Sequence, residues 1–186
     1  WNSVSIGNNA DTSQGANNVA IGENARVGSD GKGSTNSAGQ SIAIGGGTKP
    51  DEGARAFGTQ SVAIGGNTIA EGNSSIAIGN DDVERAISQQ TTYTNTSGKQ
   101  VKGTVGNAYE ELTGKNINAE GTYRETKSGQ AAIAIGVKAQ AGDLSLALGT
   151  ASTANQVNAV AIGSGATATR DNAVAIGGGA TTEVAG

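Results

Sequence analysis

Gln60-Ser-Val-Ala-Ile-Gly-Gly66 and Asn172-Ala-Val-Ala-Ile-Gly-Gly178 are two occurrences of one phrase. It starts at Ser3-Val-Ser-Ile-Gly7 and recurs closing on Gly22, Gly45, Gly65, Gly79, Gly136, Gly149, Gly163 and Gly177, nine copies in all. From Gly136 onward the closing glycines are 13, 14 and 14 residues apart, and Gly65 to Gly79 is again 14. A short fixed period marks a repeat architecture, in which each unit hides its apolar face by stacking on the next.

Within the phrase Val62 and Ile64, or Ile76 and Ile78, sit two apart. Such residues share one face of a strand, and the residue between them faces the other way. That residue is Ala in eight copies and Ser5 in the first. Both faces are therefore fit for burial, one bulky and one small. The second half of the period, as in Lys138-Ala-Gln-Ala-Gly142, Ala166-Thr-Ala-Thr169, Ala25-Arg-Val-Gly28 or Ala54-Arg-Ala56, alternates small with polar residues. It reads as a strand with one buried and one wet face. Two short strands and two turns fill one coil of an all-β parallel solenoid. The closing glycine, recurring at one structural position, predicts a turn with positive φ or close backbone approach.

Breaks in the period locate insertions. Gly22 to Gly45 spans 23 residues and Gly45 to Gly65 spans 20, the latter carrying Pro50, Asp51 and Glu52; both read as surface excursions. Gly79 to Gly136 spans 57. Gly114-Lys-Asn-Ile-Asn-Ala-Glu-Gly121 parallels Gly66-Asn-Thr-Ile-Ala-Glu-Gly72, which predicts re-entry near Gly114 and a second excursion over 122–129. The expected organisation is N-terminal coils over 1–79, an insertion over 80–113 and C-terminal coils over 114–186. In the insertion, the stretches flanking Ser97-Gly98 predict a hairpin, and Asn107 through Gly114 a short capped helix.

Composition narrows the function classes. There is no Cys and no His, which removes thiol chemistry, the commonest general base and the usual zinc and iron ligands. The acidic pairs Asp51-Glu52, Asp81-Asp82 and Glu110-Glu111 are adjacent residues that diverge rather than converge. No enzyme, metal or cofactor is expected. Ser29-Asp-Gly-Lys-Gly-Ser-Thr35 misses the phosphate-loop pattern because Gly33 follows the Lys. Thr167 and Thr169 hint at an ice-binding Thr ladder, but the equivalent positions elsewhere are Gln140, Arg26 and Arg55. A net charge of -4 with scattered charges predicts no nucleic-acid partner, and no apolar run is long enough to insert in a membrane as a helix. A start at Trp1 predicts a piece of a longer protein.

A thin coil hides one face of each strand, so a lone protomer would expose one apolar stripe along its length. At roughly 1.5–3 kcal/mol per buried Val or Ile, nine coils are ample to drive association into a cyclic homo-oligomer. Which face lines the protomer and which meets its neighbours stays open at this point.

The phrases Asn2-Ser-Val-Ser-Ile-Gly7, Asn17-Asn-Val-Ala-Ile-Gly22, Gln60-Ser-Val-Ala-Ile-Gly65 and Asn172-Ala-Val-Ala-Ile-Gly177, at about 14-residue spacing, resemble the YadA-like head of trimeric autotransporter adhesins. The resemblance spans nearly all the chain apart from 80–113, and the long insert is similar to heads of the ubiquitous surface protein A type. It implies a left-handed parallel β-roll assembled as a parallel homotrimer, and exposure on the cell surface from a Gram-negative outer membrane. The stalk heptads and anchor strands of that layout have no counterpart in these residues. It further implies attachment to host extracellular matrix, with fibronectin, laminin or collagen as candidates, or to a host-cell receptor. The other reading is a structural spacer or self-association module that holds further domains away from the cell. Functional residues concentrate on loops of a rigid scaffold, and Tyr and charged side chains suit an interface. Candidate ligand-binding residues are therefore Tyr93, Lys99, Lys102 and Tyr109 of the insertion, with Tyr123 and Arg124 on the following excursion. An equal expectation is that the tyrosines clamp the insertion onto the roll or a neighbour.

Overall fold

The computed structural model describes residues 2–182. Each phrase forms one three-residue strand, from Val4–Ile6 to Val174–Ile176, and the nine stack in chain order into one parallel sheet. Register never slips: Val62 lies beside Ile76 and Ala63 beside Ala77, and across the long insertion Ile76 still pairs with Ile133. The return halves form a second parallel sheet of eight strands of two or three residues, from Arg26–Val27 to Thr181–Thr182. The fold is a parallel β-roll, and the solenoid read from the period is the observed architecture.

Closure of the coil decides which apolar ladder goes inside. Ala20, Ala43, Ala63, Ala77, Ala134, Ala147 and Ala161 have no solvent exposure, and they face the return strands' Ala54, Ala56, Ala139, Ala154 and Ala166, equally buried. The core is thus built from methyl groups. The Val, Ile and Leu ladders point outward, from half-buried at mid-roll to 58% exposed at Ile6 and 67% at Ile176. A coil with two such short strands has little interior between its sheets, so small side chains fill it at native packing density, with Val27 the largest wholly buried apolar one.

Polar corners tie the coils together. Ser41, Ser61 and Ser75, each just before a phrase strand, are wholly buried, and their hydroxyls donate to turn carbonyls: Ser61 to Gly58 at 2.6 Å and Ser75 to Gly72 at 2.7 Å. Thr68 and Thr126 do the same at the opposite corner, to Gly79 at 3.0 Å and Gly136 at 2.8 Å. Buried hydroxyls are tolerated here because each has a partner.

Seven of the nine closing glycines combine a positive φ with close approach of the next coil's backbone; Gly79 has the close approach without the positive φ, and Gly177 the positive φ without the approach. Gly65 sits at φ +118°, and a Cβ placed on it would lie 1.6 Å from the Gly79 carbonyl oxygen of the next coil. Most turns also hold a second left-handed residue that the period did not reveal. Asn9, Asn24, Asn67, Lys138 and Ala151 take this place after the phrase, and Asn17, Gln40, Ser74 and Asn158 before it. Asn tolerates the left-handed region better than most residues, which explains its frequency there.

The insertion leaves after Gly79 and is longer than 80–113. Re-entry is not at Gly114: the next rung is Thr126–Ser128, paired with Thr68–Ala70 on one side and Gln140–Ala141 on the other. Residues 114–125 stay outside the roll, and the likeness of 114–121 to 66–72 does not make a coil. Lys127, not Ile117, takes the rung position beside Ile69. Inside the insertion a four-residue helical turn, Glu84–Ile87, precedes an antiparallel hairpin of Gln90–Thr94 and Gln100–Thr104. A helix over Val105–Thr113 follows directly. Its N-cap is Thr104 rather than Asn107; Asn107 is the third helical residue and completes a capping box by accepting from the Thr104 backbone N–H at 3.1 Å. Gly114, at φ +70°, closes the helix as expected.

Candidate functional site

The first sheet and the turns repeat with little individuality, so distinctive chemistry collects where the insertion lies against the roll. Two glycines fix that contact. Gly165 and Gly179 occupy the left-handed turn position that Asn24, Asn67 and Lys138 hold in other coils. A Cβ on Gly165 would lie 2.7 Å from the Tyr109 hydroxyl, and one on Gly179 would lie 2.6 Å from the backbone of Thr113. The C-terminal half of the helix therefore rests on these two glycine positions, which carry no side chain.

Lys115 continues the anchor. Its ammonium donates to the Gly165 carbonyl, to Thr167 Oγ1 at 2.8 Å and to Thr181 Oγ1 at 3.1 Å. Lys138, only 1% exposed, donates to the Asn118 side chain and to the Gly121 carbonyl at 3.0 Å. Desolvation pushes the pKa of both lysines down, and for Lys138 the nearby carboxylates, Asp81 foremost, oppose that push. Arg55, 2% exposed, donates to the Asn67 side chain, and burial likewise pushes its guanidinium pKa down. So the return-sheet face expected to be wet is wet only in part. Arg55, Lys138 and Gln140 of that face or its turns are buried.

The six residues singled out from sequence divide into three groups. Tyr93, on the hairpin, donates to Glu111 Oε2 on the helix at 2.7 Å, which holds the hairpin and helix together. That bond to a carboxylate raises its phenol pKa. Lys99 and Lys102, on the hairpin turn and second strand, are exposed. Tyr109 is half-buried against Gly165, and burial raises its pKa. Tyr123, 57% exposed, donates to Glu84 Oε2 at 3.1 Å, and that bond raises its pKa. Arg124 is largely enclosed, with Glu120 Oε2 at 4.0 Å as its salt-bridge partner. Tyr109 and Arg124 line one cleft, whereas Lys99 and Lys102 face solvent on the hairpin.

That cleft, about 480 Å³, lies between residues 109–124 and the return sheet's outer face, where Thr153, Thr167 and Thr181 form a short ladder. Lys115 and Lys138 also line it, and sequence reading did not single them out. Lys138 looked like one more polar residue of a wet strand, and its burial depends on a loop at least 17 residues away in the chain. Among the described residues no group of three or more Asp, Glu, His or Cys could hold a metal ion, and no helix is long and apolar enough to cross a membrane.

Residues 56–81, 128–143, 141–166 and 156–180 match the family described as YadA head domain repeat (2 copies). The matches end at the edges of the insertion and resume once the roll has restarted. Coils before residue 56, outside the matched stretches, carry the same phrase in the same register. No curated protein matches the chain.

Proposed function

The chain is a YadA-like head domain, and from that premise we propose that it is the head of a bacterial surface adhesin, working as a parallel homotrimer with its insertion as the recognising element. The observation that carries the reading is the division of the surface. The outward Val/Ile/Leu ladder is a continuous apolar stripe from Val4 to Ile176, and a soluble protomer rarely leaves such a stripe open. Its regular shape and lack of charge suit other copies of the same roll, side by side. The insertion is braced on the opposite sheet and presents exposed Lys99, Lys102 and Tyr123. A rigid scaffold carrying Tyr and Lys on a braced excursion is the form in which protein-binding surfaces are commonly built.

The partner is host extracellular matrix (fibronectin, laminin or collagen) or a host-cell receptor, and the protein stands on the cell surface of a Gram-negative outer membrane. Deletion of residues 81–124 combined with Glu125→Asn tests the insertion cleanly. The junction between Gly79 and Thr126 then reads Gly-Asn-Asn-Thr, close to the regular turn Gly65-Gly66-Asn67-Thr68. Binding of the intact head to immobilised matrix proteins should disappear while the roll's thermal transition persists. Undiminished binding by the deleted head would move the site onto the roll. Absence of binding by the intact head to every matrix protein and host cell would favour the spacer.

A further inference from the structure

The cleft beneath the insertion has a charge that the rest of the chain does not predict. Its lining holds three cations, Lys115, Arg124 and Lys138, against one carboxylate, Glu120, in a protein whose net charge is -4. Both lysines direct their protons to neutral acceptors, the hydroxyls and carbonyls named above, so neither is neutralised by a carboxylate within bonding distance. Arg124 is in a more unusual position. Its side chain is 18% exposed, yet its salt bridge among the described residues is the loose one of 4.0 Å to Glu120, whose own side chain is 73% exposed and free to swing into solvent. A guanidinium so far out of water gains from a closer anionic partner, and its planar fork fits a carboxylate with two parallel bonds.

The remaining lining fits a sugar ring attached to that carboxylate. Tyr109 offers an aromatic ring as one wall, and Thr153 and Asn155 offer hydroxyl and amide groups that both donate and accept, whereas the Thr167 and Thr181 hydroxyls are taken up by Lys115. A volume of about 480 Å³ lies in the range of small-ligand sites and is too confined for a protein surface. We propose that this cleft binds a carboxylate-bearing sugar residue, of the sialic-acid or uronic-acid type, with Arg124 on the carboxylate and Thr153 and Asn155 on the ring hydroxyls. This rests on the reading of the insertion as the recognising element and adds a glycan to its partners.

Titration of the intact oligomeric head by calorimetry and saturation-transfer NMR tests it, with sialyllactose and a glucuronate-containing disaccharide as acidic probes and lactose and acetate as controls. At least one acidic probe should bind at least tenfold more tightly than either control, with saturation strongest on the acidic residue. Arg124→Gln should weaken that binding about tenfold or more, and Glu120→Gln, on an exposed side chain, should tighten it by removing the competing carboxylate. Equal affinity for lactose, no binding of either acidic sugar, full binding by a folded R124Q head, or E120Q no tighter than the parent would each overturn the proposal. Matrix binding that depends on the insertion in a head that ignores all sugars would sink this inference alone. Sugar binding in a head whose matrix binding survives the 81–124 deletion would sink the protein-recognition reading instead.

Discussion

Replacing Gly65 by Ala separates two costs that usually come together. The residue sits at φ +118°, where an L side chain is strained by about 1–3 kcal/mol. The added Cβ would also lie 1.6 Å from the Gly79 carbonyl oxygen, which already accepts the Thr68 hydroxyl at 3.0 Å. That oxygen belongs to a stacked turn and cannot rotate away as a flexible side chain would, so the coils must part locally at a further cost of about 1–3 kcal/mol. The sum is about 2–6 kcal/mol. Gly33 supplies the control: its φ is +117°, but a Cβ there would meet nothing within 4 Å. G33A should therefore show the backbone strain alone, at most the lower part of that range. Urea unfolding followed by circular dichroism, at one protein concentration because association shifts the apparent stability, gives both numbers. Equal destabilisation by G65A and G33A would refute the stacked-glycine reasoning, since it would show that the neighbouring coil yields at no cost.

Other consequences are as direct. Gly179→Asn keeps a left-handed conformation that Asn accepts, but places a Cβ 2.6 Å from the Thr113 backbone; the insertion should lift, seen as faster hydrogen exchange and proteolysis over 105–125, while the roll's melting changes little. Ile76→Glu puts a charge on the outward stripe without touching the alanine core, and tests the proposed homotrimer: sedimentation should shift from trimer to monomer at micromolar concentration. Ala63→Leu overfills a position with no exposure and should cost about 1–3 kcal/mol or more in the same urea assay. Partial burial pushes the Asp30 carboxyl upward, but the backbone N–H groups of Lys32 and Ser34, at 2.8 and 2.9 Å, outweigh it and hold its pKa below the usual 3.8. Its folded pKa is the lower one, so its stabilisation is complete above 3.8 and is lost as pH falls through the folded value. D30N should thus flatten the acid limb of the stability curve, and an unchanged limb would count against the assignment.

The period alone determined the solenoid, the need for glycine where each phrase closes and the place where the long insertion begins, because stacking imposes the same requirement at every coil and the sequence repeats the answer. The hairpin about Ser97-Gly98 and the helix stop at Gly114 were legible for a similar reason, since turn and cap chemistry is local. Re-entry was misread at Gly114 because a short Gly-to-Gly likeness carries no information about pairing, and Thr126–Ser128 has no such phrase to announce it. Nor could spacing say which apolar ladder lies inside: both faces of Val-Ala-Ile are apolar, and only the narrow closed coil admits Ala and turns Ile outward. The cationic cleft was the least visible feature. Arg124 stands out only as a charge on an excursion, Lys115 and Lys138 look ordinary in sequence, and Gly165 and Gly179 look like further turn glycines. What brings them together is the insertion resting on the two coils that lack a side chain at its contact, a fit between distant segments that exists only once the chain has folded.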